Sequence, residues 1–236
     1  MPASTLPMFA STTPIMTMTR HQIGCISIYH GDFIEICKTE FDDSSFSTIF
    51  TDPPYGRQHL HLYPSLLRMA GEMLEPGGDL VSIFPQYCVP DIAAWTAGSG
   101  LHWRWLIQMA QFDGPHARLV NSQHNIEVIS KSIGWWYKKG GAPDYRNVKD
   151  AYVNLPPGKK MHEWEQSNSW AEYGVSTFCL NRGRVMDPMC GTGTFLGECL
   201  KQGIPAVGID IDPEQIERTI NRLENIQAAM LPTADL

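Results

Sequence analysis

The sequence predicts an α/β domain with a mostly parallel sheet covered by helices on both faces. Three observations carry this. Short β-branched runs alternate with stretches of helical periodicity along most of the chain. A glycine-rich segment, Asp187-Pro-Met-Cys-Gly-Thr-Gly-Thr194, joins a predicted strand to a predicted helix. The 236 residues, 43% hydrophobic and 18% charged, suit one globular core and exclude wholesale disorder.

The elements follow in order. Residues 1–20 are rich in Ser, Thr, Pro and Met and show no periodicity, so they are expected as a flexible tail ahead of a single domain over 21–236. They lack the basic start and apolar run of a secretory signal, and translation from Met16 or Met18 is also conceivable. Apolar runs at 23–29 and 46–51 predict strands, the second leading straight into Asp52-Pro-Pro-Tyr-Gly56. Helical spacing over 62–74 stops at Pro76-Gly77-Gly78, and a strand at 79–84 and a helix near 88–97 follow. Residues 103–111 and 125–132 read as an antiparallel hairpin around a polar loop, 112–124. The last part predicts a strand at 184–187, a helix at 194–202, a strand at 205–210 and an amphipathic helix at 213–229.

The net charge of −7 argues against a general nucleic-acid coat, but the charge is uneven. Across 131–160, seven Lys/Arg face two Asp, a local charge of +5, which leaves −12 for the rest of the chain. Trp135, Trp136, Tyr137, Tyr145 and Tyr152 interleave with these charges. The six cysteines form no Cys-x-x-Cys pair, which points away from zinc ribbons and towards reduced thiols in a cytoplasmic protein. The eight His are scattered, and no metal site is expected. No apolar run is long enough to span a membrane.

Two turns carry chemistry. In the glycine-rich turn, Gly191 and Gly193 let backbone approach a ligand, and the helix N-terminus offers free N–H groups. Asp210 ends the next strand, where a carboxylate can accept from ribose hydroxyls. Together these describe a site for an adenosine-containing cofactor. A tight loop without a ligand would also carry Gly-x-Gly, but Leu196 stands where a dinucleotide fingerprint has its third glycine. The Asp187-Pro188 opening suits a ligand ammonium rather than a pyrophosphate. In the second turn, Pro53 and Pro54 fix φ and remove two backbone donors. What remains is a rigid set of acceptors, the Asp52 carboxylate and backbone carbonyls, beside the flat face of Tyr55. That suits a planar group bearing an NH₂; a proline turn with a packed Tyr is the plainer alternative.

Taken together, these motifs resemble the S-adenosylmethionine-dependent amino-methyltransferases that act on the exocyclic nitrogen of adenine or cytosine in nucleic acid. The order, Asp-Pro-Pro-Tyr, then a basic segment, then Gly-x-Gly, is the permuted order of the beta class of DNA methyltransferases. The resemblance covers about residues 26–228. His30-Gly-Asp32 resembles the element near the cofactor adenine. Leu74-Glu-Pro-Gly-Gly78 resembles the family's helix-to-strand turn, and His124-Asn-Ile-Glu127 its strand beside the target-base loop. His162-Glu-Trp-Glu-Gln166-Ser167 stands where the family often has His-x-x-x-Lys-Pro, with Gln166 and Ser167 as departures.

The resemblance implies a three-layer Rossmann-like methyltransferase fold and transfer of a methyl group from S-adenosylmethionine to adenine N6 in DNA. Asp52, Pro53, Pro54 and Tyr55 become the catalytic turn. Asp32, His162, Gln166, Ser167, Asp187, Pro188, Cys190, Gly191, Gly193, Thr194 and Asp210 become cofactor residues. Asp at position 52 favours adenine, since the cytosine enzymes usually carry Ser there. Residues 133–160 are expected as a small basic target-recognition insertion. Lys138, Lys139, Arg146, Lys149, Lys159 and Lys160 are expected on phosphates. Trp135 and Trp136 would stack on bases or pack beneath the loop, and Phe112 would wall the base pocket. A solvated basic loop is the plainer reading of the segment. Its shortness leaves room for a short target site or for a homodimer. Cytosine-N4 methylation, RNA adenine methylation and an inactive nucleic-acid-binding subunit are the other readings. Nothing resembles a nuclease, so an orphan, phage or restriction-modification enzyme fits.

Overall fold

The computed structural model describes residues 19–111, 131–141, 147–154, 168–179 and 183–230. The predicted strand at 23–29 is two strands, β1 (Thr19–Ile23) and β2 (Ile26–His30), folded back antiparallel on each other. The break falls at Gly24, whose φ of 54° closes the turn. Helix α1 (Phe33–Glu40) starts at Asp32, whose carboxylate accepts from the amides of Ile34 and Glu35. Strand β3 (Phe46–Thr51) is buried along its whole length, as its unbroken apolar and Thr/Ser run allows. Helix α2 (Leu62–Met73) buries Tyr63, Leu66, Leu67 and Ala70 at helical spacing. It passes directly into β4 (Leu74–Pro85), so the expected stop at Pro76-Gly77-Gly78 is the start of a strand that bulges against β3.

The expected helix near 88–97 is an irregular turn over 86–91 followed by the short α3 (Ile92–Thr96). Strands β5 (Leu101–Gln111) and β6 (Lys131–Lys138) form the antiparallel hairpin. Its second strand lies later than predicted, and residues 125–130 of the predicted run lie outside the described residues. The stretch expected as a basic recognition segment therefore opens with an inner strand of the sheet, between β4 and β5. Strand β7 (Ala151–Asn154), α4 (Asn168–Gly174), β8 (Val185–Asp187), α5 (Thr194–Lys201), β9 (Ala206–Asp210) and α6 (Pro213–Met230) complete the order.

The sheet runs β1-β2-β9-β8-β3-β4-β6-β5-β7. Strands β2, β9, β8, β3 and β4 are mutually parallel, so His30, Asp210, Asp187, Thr51 and Pro85 end at one edge. One hydrophobic cluster lies on the face covered by α4, α5 and α6, and the other beneath α1, α2 and α3. Phe50 of β3 joins the first, stacked on Phe195 at 4.2 Å and beside Trp170 at 4.8 Å. In this three-layer arrangement the sheet lies between two packed faces. No helix of the described residues is long and apolar enough to cross a membrane.

Candidate active site

The Asp52 turn leaves β3 at the carboxyl edge. Pro53 is buried, Pro54 is exposed, and Asp52 and Tyr55 are half-buried. The Tyr55 hydroxyl donates to the Asp52 carboxylate. Tyr87 donates from its hydroxyl to the Tyr55 carbonyl at 3.0 Å, which pins the turn to the segment after β4. Beneath it Tyr63 is fully buried; burial first, and the nearby Asp52 second, push its phenol far above the ordinary range. The Lys131 ammonium, at the start of β6, lies 4.0 Å from the centre of the Tyr55 ring.

The glycine turn leaves β8 two strands away from β2. Gly191 and Gly193 have φ of 53° and 72°, conformations that an L side chain adopts at a cost. A Cβ at Gly191 would meet nothing within 4 Å, whereas one at Gly193 would lie 2.7 Å from Thr219 of α6. The first glycine thus opens space and the second permits close packing. Asp210 accepts from the Gly191 amide at 2.8 Å and from the Asp212 amide at 2.9 Å. Burial raises its pKa against the pull of these amides.

One cavity of about 840 Å³ joins the two turns. It runs from Gly31, Asp32 and Phe33, past Met189, Gly191 and Asp210, to Asp52–Gly56 and His59. Its size lies in the range of small-molecule and cofactor sites. Ile211, 59% exposed, forms an apolar wall on its rim.

The expected site residues divide clearly. Asp52, Pro53, Pro54, Tyr55, Asp32, Pro188, Gly191 and Asp210 line this cavity. Asp187 is not among the lining residues: it is buried beneath the turn, accepting from Thr51 Oγ1 at 2.8 Å and from the Met189 amide at 3.2 Å. Burial lifts its carboxyl to about 7. Cys190 is buried under the turn with its thiol pushed upward by burial, and packs against Gly208. Gly193 caps α5, and the Thr194 hydroxyl lies 3.4 Å from that of Thr192. These four shape the turn rather than the cavity wall. His162, Gln166, Ser167, Phe112, Arg146, Lys159 and Lys160 lie outside the described residues.

Of the two readings of Trp135 and Trp136, stacking on bases or packing, the structure has packing. Trp135 and Trp136 are buried at 7% and 0% exposure, with their indole N–H groups donating to Asp79 Oδ1 and Thr96 Oγ1, both at 2.8 Å. They belong to the two core clusters and offer no face to a base. Lys138 ends β6 and Lys139 follows it, at the end away from the Asp52 turn. Lys131 pairs with Pro85 at the carboxyl edge, while Tyr137 pairs with Asp79 near the other edge. Seven residue steps along the strand separate Lys131 from Lys138, roughly 23 Å. Lys138 donates to Ser44 Oγ and to the Glu72 carbonyl, both at 3.4 Å, at the C-terminal end of α2. Lys149 is exposed, just ahead of edge strand β7.

Sequence reasoning missed Thr51, Tyr63, Tyr87, Ile211 and Lys131. Thr51 and Ile211 adjoin Asp52 and Asp210, and that adjacency was the available signal. The other three reach the site only through tertiary structure.

Comparison with known proteins bears on this arrangement. No family model matches the chain, and no curated relative does. Solved structures do match. M1.HpyAVI in complex with SAM is 22% identical, with a TM-score of 0.63 over 84% of this chain and 99% of that one. TTHA0409 of Thermus thermophilus, named as a DNA modification methylase and solved with S-adenosyl-L-methionine, is 20% identical, with a TM-score of 0.62 over 84% and 94%. The cytosine-N4-specific PvuII DNA methyltransferase is 14% identical, with a TM-score of 0.68 over 89% and 95%. The chain has the Rossmann-like fold of these DNA methyltransferases. The three-layer architecture with its antiparallel hairpin is the one expected from sequence.

Proposed function

We propose that this chain is an S-adenosylmethionine-dependent DNA methyltransferase that modifies the exocyclic amino group of adenine. The observation that carries the reading is the single cavity joining the Asp52–Tyr55 turn to the Gly191–Asp210 turn. Likeness to proteins solved with the same cofactor supports it.

The residues present fit that cofactor. Gly191 leaves open space beside the turn, Asp210 offers carboxylate oxygens for ribose hydroxyls, and Ile211 and Phe33 give apolar walls. Bound there, S-adenosylmethionine supplies an electrophilic methyl carbon on a sulfonium. The protein then has to present a poor nucleophile, an aromatic amine whose lone pair is delocalised. Asp52 and the Pro53 carbonyl accept the two amine hydrogens, which directs the lone pair outward and stabilises the charge developing on nitrogen. Tyr55 stacks on the ring. Holding the reactants in line contributes effective molarities on the order of 10⁵–10⁸ M. In a duplex the base must first leave the stack.

Asp at position 52 supports adenine as the target. The cytosine-N4 reading is carried by the likeness to the PvuII enzyme. Tritiated methyl transfer to unmethylated DNA and to RNA, followed by digestion to nucleosides, separates these. Label in methyladenosine from DNA is expected. Label in methylcytosine would overturn the base, label only from RNA would overturn the polymer, and no label would overturn the enzyme.

A further inference from the structure

Lys131 sits in a setting that a surface lysine rarely occupies. It is half-buried at the first position of β6, and the register with Pro85 delivers it to the carboxyl edge. Its ammonium stands over the Tyr55 ring at 4.0 Å and makes no hydrogen bond among the described residues. Burial pushes its pKa down, and Asp52 pulls it back up. A desolvated ammonium is costly unless something opposite offsets it. Here the offset comes from the π face of Tyr55 and the carboxylate of Asp52, the two groups on which the proposed chemistry depends.

Among the described residues, groups from four elements face Asp52, and His59 lines the same cavity. Its own turn gives the Tyr55 hydroxyl, α2 gives the Tyr63 phenol, β8 gives the buried Asp187, and β6 gives Lys131. Arg57 lies farther out, 5.2 Å over the Tyr87 ring. Lys131 brings a cation to this set. The turn ties the Tyr55 hydroxyl to Asp52, and Lys131 meets the face of the ring.

We infer that Lys131 is a positioning residue for amino-group methylation, holding the Tyr55 ring as a stacking plate and supplying positive charge beside Asp52. The inference rests on the methyltransferase reading above and assigns the segment after the polar loop a role in the catalytic centre rather than in phosphate contact. Asp52 then accepts from the amine as a carboxylate, and the ammonium offsets its charge before the base arrives.

The test uses the full chain with Lys131→Met and Lys131→Arg. The Met variant is expected to lower kcat by about tenfold. The acid limb of its rate profile moves to higher pH, because the attraction between Lys131 and Asp52 acts on both groups. Cofactor affinity by calorimetry and the melting temperature stay close to the unaltered chain, and Lys131→Arg recovers most of kcat. Unchanged kcat in the Met variant would overturn the inference. So would a lower kcat with an unmoved acid limb, which would mark a purely structural role. An independent arm is NMR of ¹³C-lysine-labelled protein: the resonance lost in Lys131→Arg should move when Tyr55→Leu removes the ring current. A resonance indifferent to Tyr55 would refute the contact itself. If the unaltered chain transfers no methyl group, the proposed function falls, and the NMR arm still decides the contact separately.

Discussion

Thr51 Oγ1 donates to Asp187 Oδ1 at 2.8 Å, tying the strand that ends in the Asp52 turn to the strand that ends in the glycine turn. Both groups are buried, so the bond is a strut between the two halves of the cavity. Thr51→Val keeps the shape and removes the donor. The expected loss is about 1–3 kcal/mol of stability, read from the urea midpoint at constant m-value. Because both turns are displaced together, methyl transfer should fall more than cofactor affinity does.

The same carboxyl gives a pH signature. Asp187 titrates near 7 in the fold, raised chiefly by burial and held back by the Thr51 and Met189 hydrogen bonds. The folded chain therefore binds a proton that the unfolded chain has released above about pH 4. Stability contributed by this group is present at low pH and is lost as pH rises from about 4 to 7. Asp187→Asn should flatten the fall in unfolding free energy across that window. A slope identical to the unaltered chain would refute the assignment.

The two glycines of the turn predict opposite failures. Gly193→Ala places a methyl group 2.7 Å from Thr219, whose hydroxyl donates to the Gly191 carbonyl at 2.7 Å. Strain at positive φ adds to this, for an expected loss of about 2–4 kcal/mol in folding. Gly191→Ala meets no neighbour and loses only the backbone term of about 1–2 kcal/mol. Its methyl group enters the cavity wall, so cofactor binding should suffer most. Calorimetry and thermal unfolding of the pair should show the crossed pattern.

These contrasts mark what sequence can and cannot carry. The Asp52 turn, Gly191, Gly193 and Asp210 were legible because each works through its own few residues: a proline pair, a positive φ, a strand end. Strand β6 was not. Its aromatic run Trp135–Tyr137 between lysines has no two-residue alternation, because the strand is buried on both faces and packs into both clusters. The same composition reads as a basic aromatic loop. Tyr63, Tyr87 and Lys131 were illegible for another reason: their partners are distant in sequence and only the tertiary fold brings them together.

Asp52→Ala should abolish methyl transfer by at least about 10²-fold and leave cofactor affinity unchanged. Asp52 follows β3 and Asp210 ends β9, with β8 between them in the sheet, so the two functions separate. Asp210→Ala should do the reverse first, weakening the cofactor by roughly tenfold, since it removes both the proposed ribose acceptor and the anchor of the Gly191 amide. Equal cofactor affinity in Asp210→Ala, or retained turnover in Asp52→Ala, would undo the respective role.

The placement of Lys138 and Lys139 makes a negative prediction for nucleic-acid binding. Each phosphate contact adds about 0.9 to the slope of log affinity against log salt for duplex DNA. Two lysines on phosphates would therefore contribute a slope change of about 2 when neutralised. Their end of β6 lies roughly 23 Å from the end that meets Tyr55, with the sheet between. Lys138 is instead engaged with the last turn of α2 through the Glu72 carbonyl. Lys138→Gln with Lys139→Gln should leave the salt slope within experimental error. Its cost should appear as a small loss of stability, on the order of 0.3–1 kcal/mol, from the helix end left without its cation. A slope reduced by about 2 would return both lysines to the nucleic-acid interface and require the polymer to wrap past the sheet edge. The slope measured on Lys149→Gln, which sits on the exposed approach to β7, provides the comparison in the same titration.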